Sequence, residues 1–218
     1  MIAFGGIVRK GEFDYGCRIG YDLEAKTARF LFQDDIVSKA KYLEAMPGRA
    51  VFFSPMEMNI LYLGPSLRRD FLDEILLLSY PEFSKVRRDY SLTLRSRNAL
   101  LKNIYEGTAK RSDLDAWDQL FAESAERYYR YRLYILSFIR ENISTLESLL
   151  EGKYRLEFEY TSKTDLDTIR PSIMAYLSEK RERDIITGHT YIGPHLDDFV
   201  FHVHLGEHLV RSEEYLSR

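Results

Sequence analysis

Polar and apolar residues alternate along the first part of the chain, with the two-residue repeat that is typical of strands. The clearest run is Tyr15–Tyr21, and shorter runs lie at Gly5–Val8 and Ala28–Phe32. Turn-forming residues separate these runs, which predicts an antiparallel meander with one face in water. We expect a short helix over Lys39–Met46 to follow, and then a buried strand at 50–53.

Helical spacing replaces this alternation between residues 64 and 152. Pro65 stands at the first position of one predicted helix and Pro81 at the start of the next, where a missing N–H costs nothing. The first helix is expected to bury a face formed by Leu67, Phe71, Ile75 and Leu78. The second carries a coiled-coil-like seam formed by Phe83, Val86, Tyr90, Leu94, Arg97, Leu101 and Ile104.

A third helix is predicted from Ser112 to Glu151. Ser112 and Asp115 have the spacing of a capping box, and Gly152 ends the pattern. At about 1.5 Å per residue the helix would be roughly 60 Å long. Because the link Gly107–Arg111 is short, we expect an antiparallel hairpin that projects as an arm. The apolar stripe consists of Trp117, Phe121, Ala125, Tyr128, Ile135, Phe138, Leu146 and Leu149.

Strand alternation returns near residue 153. Tyr154–Tyr160 predicts a strand, and 165–185 has helical character with Pro171 in the first turn. The charged run Glu179–Asp184 predicts a solvated face.

The order of these elements predicts an α+β fold. Strand-rich segments 1–63 and 153–218 flank the helices of 64–152. We therefore expect a globular head with an inserted helical arm domain.

Composition indicates a folded globular protein, since 45% of the 218 residues are apolar and 30% are charged. The formal net charge is −3, so binding of nucleic acid would need a local basic patch. Cys17 is the only cysteine, which excludes an internal disulfide and fits a reducing compartment. No apolar run could span a bilayer and no signal peptide follows Met1, so we expect a cytoplasmic protein.

Four of the five histidines lie in Gly188–His204, and two interpretations of this stretch remain open. His202 and His204 share one strand face, so they are candidates to bind zinc together with Asp197 or Asp198. Alternation with Phe199, Phe201, Val203 and Leu205 instead predicts a structural hairpin with a core face and a solvated face. We predict no metal, and we expect a turn whose carboxylates cap backbone N–H groups, formed by Gly193, Pro194, His195, Asp197 and Asp198.

Basic residues on the second predicted helix are the best local candidates to contact DNA phosphates. They are Lys85, Arg87, Arg88, Arg95, Arg97 and Lys102. The alternative is an ordinary solvated helix face. Tyrosines of the third helix either stack on bases or pack the hairpin, namely Tyr128, Tyr129, Tyr131 and Tyr134.

Several motifs, in this order and spacing, resemble the RecF family of bacterial DNA replication and repair proteins along nearly the whole chain. They are Phe53-Ser54-Pro55-Met56-Glu57, Gly64-Pro65, Arg68-Arg69-Asp70-Phe71-Leu72-Asp73, Arg97-Asn98-Ala99-Leu100-Leu101-Lys102, Asp115-Ala116-Trp117-Asp118, Gly188-His189-Thr190, Gly193-Pro194-His195-Leu196-Asp197-Asp198 and Leu216-Ser217-Arg218. Leu196 stands where the family has arginine, so any polar role of that arginine is lost.

The resemblance implies part of an ABC-type ATPase head, similar also to SMC-type ATPases. ATP and Mg²⁺ would be the cofactors, ATP-dependent homodimers would form, and duplex, gapped or single-stranded DNA would bind. RecR and RecO would be partners in loading RecA. Ser217 and Arg218 would begin the family's signature motif at the nucleotide, and Glu57 would lie in a loop that links the nucleotide to the arm. In related ATPases the region of Arg68 and Arg69 has the same linking role, with ion pairs to Asp70 or Asp73 as the structural alternative.

Two of the family's motifs are missing from this sequence. Walker A would precede Met1, and Walker B would follow Arg218. Phosphoryl transfer needs the phosphate cradle and the Mg²⁺ carboxylates that these motifs supply. We therefore expect this chain alone to bind no ATP or Mg²⁺ and to contain no catalytic residue.

The predicted function is that of a DNA-binding ATPase-family protein in recombinational repair and replication. One alternative is a non-catalytic module that binds DNA or a protein partner. A third class is a metal-dependent hydrolase that uses the His/Asp cluster.

Overall fold

A computed structural model describes residues 2–47, 64–149, 154–205 and 208–211, and its first residues form the predicted antiparallel meander. The strands are β1 (Ile2–Lys10), β2 (Phe13–Asp22), β3 (Thr27–Phe32) and β4 (Asp35–Val37), paired in that order. Helix α1 (Lys39–Ala45) follows where a helix was expected. The strand predicted at 50–53 lies outside the described residues.

Strand β1 differs from the prediction of one buried and one solvated face, because both of its faces are open. Phe4 is 75% exposed and Ile7, from the opposite face, is 72% exposed. Helix α1 packs on β3, where the rings of Phe30 and Tyr42 lie 5.4 Å apart. Among the described residues of this unit, no second layer covers β1. The apolar residues of β1 therefore remain exposed on both of its faces.

The remaining elements belong to a second compact unit, Ser54–Arg218, distinct from Met1–Phe53. Its helices are α2 (Pro65–Ser79), α3 (Phe83–Tyr105), α4 (Leu114–Leu149), α5 (Ile169–Glu179) and α6 (Arg181–Thr187). Its strands β5 (Arg155–Thr161), β6 (Asp198–Leu205) and β7 (His208–Arg211) form one antiparallel sheet. Helices beside antiparallel sheets confirm the α+β class.

The buried face of α2 is not the predicted one. Leu67 and Leu78 are exposed, and the helix buries Arg68, Leu72, Asp73 and Leu76 instead. The predicted Phe71 and Ile75 pack only at the margin of the core. Two of the four buried positions are charged, so hydrophobic spacing could not identify this face.

Helix α3 carries the predicted seam. Its buried positions are Phe83, Tyr90, Arg97, Leu101 and Ile104, and Val86 and Leu94 pack beside them. The helix begins two residues after Pro81, which lies in the preceding turn. Gly107, with φ of 76°, follows its end in the left-handed conformation that favours glycine.

Helix α4 spans 36 residues, or about 54 Å, but its start differs from the prediction. A 3₁₀ turn, Arg111–Asp113, precedes it, and the carboxylate of Asp113 accepts the N–H of Lys110. Ser112 and Asp115 therefore form no capping box. Four stripe residues are buried as predicted, namely Phe121, Ala125, Tyr128 and Ile135, whereas Phe138 and Leu146 are exposed.

One hydrophobic core joins the helices and the second sheet. It includes Leu76 of α2, Phe83 of α3, Phe121 of α4, Ile173 of α5 and Phe199 of β6. Helix α4 contacts α2, α3, α5 and β5. The division of this unit into arm and head at residues 152 and 153 stays a prediction.

Candidate nucleic-acid interface

The turn between α6 and β6 sits against α3 and α4. The N–H of Leu196 donates to the carbonyl of Gly193 over 3.0 Å. Gly193 has φ of 121°, and a Cβ there would lie 2.8 Å from the hydroxyl of Tyr90 and 3.1 Å from Phe121. Both the backbone conformation and the close approach require glycine at this position.

His195 of this turn is locked between two partners. Its Nδ1 lies 2.6 Å from the hydroxyl of Tyr90, and its Nε2 lies 3.2 Å from the carbonyl of Thr190. A carbonyl only accepts, so Nε2 carries the proton and Tyr90 donates to Nδ1. Burial lowers the pKa of His195 to about 4, so the ring is neutral near pH 7. Neither nitrogen is free to bind a metal.

The two aspartates of the turn have different roles. Asp198 accepts two hydrogen bonds from Arg68, at 2.7 and 2.8 Å, and also accepts the N–H of Phe199. Burial opposes ionisation, but the Arg68 guanidinium holds the pKa of Asp198 below its ordinary value. The expected capping of backbone N–H groups thus applies to Asp198. Ion pairs with Asp70 or Asp73 were the structural alternative to a linking role, but Arg68 pairs with Asp198 instead. The linking role of Arg68 and Arg69 stays a prediction.

Asp197 was also expected to cap a backbone N–H. Among the described residues its carboxylate instead accepts a hydrogen bond from the hydroxyl of Tyr160 over 2.7 Å. Burial raises its pKa, and its backbone carbonyl accepts Nη1 of Arg69 over 3.0 Å. Tyr160 also lies 3.4 Å from Nη1 of Arg132, whose Nη2 donates to Asp73 over 2.6 Å. A continuous polar chain therefore connects the turn to α4 and α2.

Arg97 was predicted to contact DNA, but its side chain is fully buried. It donates to Asp118 over 2.8 Å, to Asp184 over 3.2 Å and to Thr190 over 2.6 Å. These partners hold the guanidinium in the core, which corrects the prediction. Arg97 connects α3 with α4, α6 and the segment that precedes the turn.

The charged run 179–184 is likewise not a simple solvated face. Asp184 is buried against Arg97, and Arg181 bonds Asp115 and Asp118 on α4. Arg183 lies over the ring of Tyr191, 4.4 Å from its centroid. Alternating signs along the run reflect ion pairs with different elements, which periodicity does not reveal.

The other predicted basic residues remain at the surface of α3. Lys85, Arg88, Arg95 and Lys102 are exposed, and their spacings of three and seven residues place them on one side of the helix. We call these four the exposed basic face. Arg87 is half-buried, 3.4 Å from Asp73 and 4.0 Å from Asp70.

Beside this face lies a cleft of about 380 Å³. It is bordered by α2, α3, α4 and the turn, and its charged lining residues are Arg69, Asp70, Asp73, Arg87, Arg95 and Arg132. Arg69 was not among the residues predicted to contact DNA. The motif Arg68-Arg69-Asp70 was the one feature of the sequence that drew attention to Arg69. Only the fold places Arg69 in the same cleft as Arg87 and Arg95.

The tyrosines of α4 mostly pack rather than stack on ligands. Tyr128 and Tyr129 are buried, and Tyr131 lies against Phe83 with 5.3 Å between ring centroids. Tyr134 is 63% exposed. Packing is therefore the correct interpretation for the first three.

The histidines of β6 form carboxylate pairs. His202 lies 2.8 Å from Glu159 and His204 lies 3.3 Å from Glu157. His202 is buried, so its strand face is not uniformly solvated as predicted. In the parts of the chain that the structure describes, no three His, Cys, Asp or Glu side chains converge as metal ligands.

Other sequence-based predictions lie outside the described ranges. Glu57, Ser217 and Arg218 are among these residues, so their predicted nucleotide contacts stay predictions. Within the described ranges, no helix is long and apolar enough to cross a membrane.

Comparisons with known proteins agree with the sequence motifs. The chain is 31% identical over 173 residues to the DNA replication and repair protein RecF of Kineococcus radiotolerans, covering 70% of this chain and 44% of that protein. RecF of Renibacterium salmoninarum is 27% identical in an alignment of 223 positions, gaps included, which covers 83% of this chain and 54% of the relative. No protein family model matches the chain.

Solved structures agree on the fold. The recombination mediator protein RecF with ATPrS, in the RecFOR pathway, superposes with a TM-score of 0.81 at 24% identity, covering 98% of this chain and 57% of that one. RecF with ATP gives a TM-score of 0.77. The chain spans about half the length of the relatives it matches. In sequence and in fold, this chain is RecF-like.

Proposed function

We propose that this chain acts in DNA replication and repair by binding the DNA backbone through the exposed basic face of α3. The observation that carries the proposal is the exposure of Lys85, Arg88, Arg95 and Lys102 along one side of a helix in a RecF-like fold. The whole chain has a net charge of −3, so this concentration of positive charge is local.

The contacts of this face suit binding that depends little on base sequence. Arg95 donates from Nε to the carbonyl of Ser91 in its own helix. Among the residues that the structure describes, the only carboxylate contact of Arg88 is with its neighbour Asp89, at 4.0 Å. Neither Arg88 nor Arg95 is thus paired with a buried carboxylate, in contrast to Arg97. Contacts to phosphates position a protein on DNA, whereas base contacts would be needed to read its sequence.

Nucleotide and partner binding belong to the same proposal. The solved relatives are RecF with ATP or ATPrS in the RecFOR pathway, which supports ATP as the nucleotide of the family. From the family resemblance we further infer Mg²⁺ as the metal, ATP-dependent homodimers, RecO and RecR as partners, and a cytoplasmic location. The printed sequence contains no GxxxxGK[ST] loop. We expect this chain alone to bind no ATP. Saturable binding of a fluorescent ATP analogue, displaced by excess ATP, would contradict that expectation.

Replacement of Lys85, Arg88 and Lys102 by glutamine tests the DNA-binding face. Affinity for a labelled gapped duplex should fall, and all duplex sequences should be affected alike. Each lost phosphate contact should reduce the slope of log affinity against log salt by about 0.9. The measurement is a fluorescence titration at several salt concentrations.

A matched control replaces Arg127, Arg130 and Arg140 of α4, which are also exposed, by glutamine. This control removes the same three positive charges as the α3 variant. It should leave most of the affinity for duplex and most of the slope against log salt intact. Equal losses in both triple variants would mean that overall charge, and not the α3 face, determines binding. A wild-type chain that binds no duplex at low salt would reject the proposal for this chain.

A further inference from the structure

The cleft beside the exposed basic face has an excess of positive charge at its mouth. Four arginines and two aspartates line it. Asp73 neutralises Arg132 at the floor, since it accepts Nη2 of that arginine over 2.6 Å and also accepts the hydroxyl of Tyr128. Arg87 also lies 3.4 Å from Asp73 and is therefore partly neutralised. Asp70 is the other carboxylate of the lining, and it stands against Arg69, Arg87 and Arg95.

That carboxylate is a weak competitor for the three arginines. Of the cations in the described part of the chain, Asp70 reaches only Arg87, at 4.0 Å, and its side chain is 55% exposed. Exposed ion pairs of this length contribute little, so Asp70 does not saturate the guanidinium groups. An anion that enters the cleft meets donors that are largely available.

Arg69 and Arg95 are held by backbone carbonyls rather than by carboxylates. Nη1 of Arg69 donates to Asp197 and Nε of Arg95 donates to Ser91. Within the described ranges, neither arginine has an Asp or Glu oxygen within 4.0 Å. Each guanidinium carries five N–H donors, so each keeps donors and its full charge for a ligand.

The rest of the cleft wall consists of uncharged side chains. Pro194, Leu94 and the rings of Tyr90 and Tyr128 form it, together with His195. The hydroxyl of Tyr90 is occupied by His195. Recognition therefore depends on the three arginines, whose planar guanidinium groups match the oxygens of a phosphoryl group.

We propose that the cleft formed by Arg69, Arg87 and Arg95 is a discrete site for one phosphoryl group. This inference rests on the proposed function in so far as the group is a DNA phosphate. The same chemistry would be offered by inorganic phosphate or by a free phosphate ester. Arg69, which lies outside α3, distinguishes this site from the exposed basic face.

The test measures binding of inorganic phosphate by isothermal titration calorimetry at constant ionic strength. The wild-type chain should bind one phosphate per chain. Arg69→Gln and Arg95→Gln should each weaken that binding roughly tenfold or more, because each removes a charge-assisted hydrogen bond. Arg140→Gln, an equal charge change at an exposed position of α4 that does not line the cleft, should leave phosphate binding unchanged. Because Arg95 is exposed and its hydrogen bond lies within its own helix, Arg95→Gln remains informative if Arg69→Gln unfolds.

A second experiment, a competition assay, identifies the source of the phosphoryl group. Phosphate should displace gapped duplex from the wild-type chain but not from Arg69→Gln, with chloride at equal ionic strength as the control. Phosphate that binds without displacing duplex would support the site and assign it to a free phosphate ester. Phosphate binding without any duplex binding would reject the proposed function and leave the site standing. No binding of phosphate, or equal weakening by Arg140→Gln, would overturn the site.

Discussion

Two arginines of the same helix, Arg95 and Arg97, have opposite environments. Arg97 is fully buried and donates to Asp118, Asp184 and Thr190. Arg95 is exposed, and within the described ranges it donates only to a carbonyl of its own helix. Residue type and sequence position are nearly the same, so the difference comes from what the neighbouring elements place opposite each side chain.

The two environments imply different energetics. A buried guanidinium requires paired carboxylates, because an unpaired charge in the core is very unfavourable. Once paired, it has little capacity for another ligand. An exposed arginine adds little to stability but keeps its charge for phosphate. We therefore expect Arg97 to matter for folding and Arg95 to matter for binding.

Arg97→Met should produce the largest change in stability. It leaves Asp118 and Asp184 buried without their shared partner, and we expect the free energy of unfolding to fall by about 3–5 kcal/mol. Urea denaturation followed by fluorescence of Trp117, the only tryptophan, reports on the unit that contains α3 and α4.

The matched control is Arg95→Met, the same substitution two residues earlier. It should change stability by less than about 0.5 kcal/mol. Adding Asp118→Asn and Asp184→Asn to Arg97→Met should restore part of the lost stability. Each buried carboxylate keeps a partly exposed arginine, Arg181 or Arg183, but has lost its buried partner, and neutralising it removes the cost of burying its charge. Similar losses for both single variants would remove the contrast between the two arginines.

A smaller change in stability should come from pH, through His195 in the turn between α6 and β6. The pKa of His195 is about 4 in the folded chain and about 6.5 in an unfolded one, so folding favours the neutral ring. Its contribution is complete above about pH 6.5 and is lost as the pH falls toward 4. The loss should be at most about 3 kcal/mol.

His195→Gln isolates this contribution. Asp197 beside it has a raised pKa, so its own linkage has the opposite sign, and only the difference between wild type and variant reports the histidine. That difference in unfolding free energy should shrink between pH 6.5 and 4. NMR titration of the His195 ring should give a midpoint near 4. A midpoint near 6.5 would show that the ring is solvated and that the turn is loosely packed.

Much of the secondary structure was predictable from local patterns. Alternation located β2 and β5, and the seam of α3 was correct because apolar residues dominate it. The buried face of α2 was missed because it includes Arg68 and Asp73, whose partners are distant in sequence. Local periodicity fails where polar groups are buried in pairs.

The sequence by itself determined the RecF-like identity, the α+β class and the presence of basic residues on one helix. Only the tertiary structure decided which of those residues are available. Arg97 pairs with Asp184, 87 positions along the chain, and Arg69 reaches the cleft through the packing of α2 on the turn. The physical reason is that burial and charge pairing depend on contacts between distant elements, which side-chain spacing does not encode.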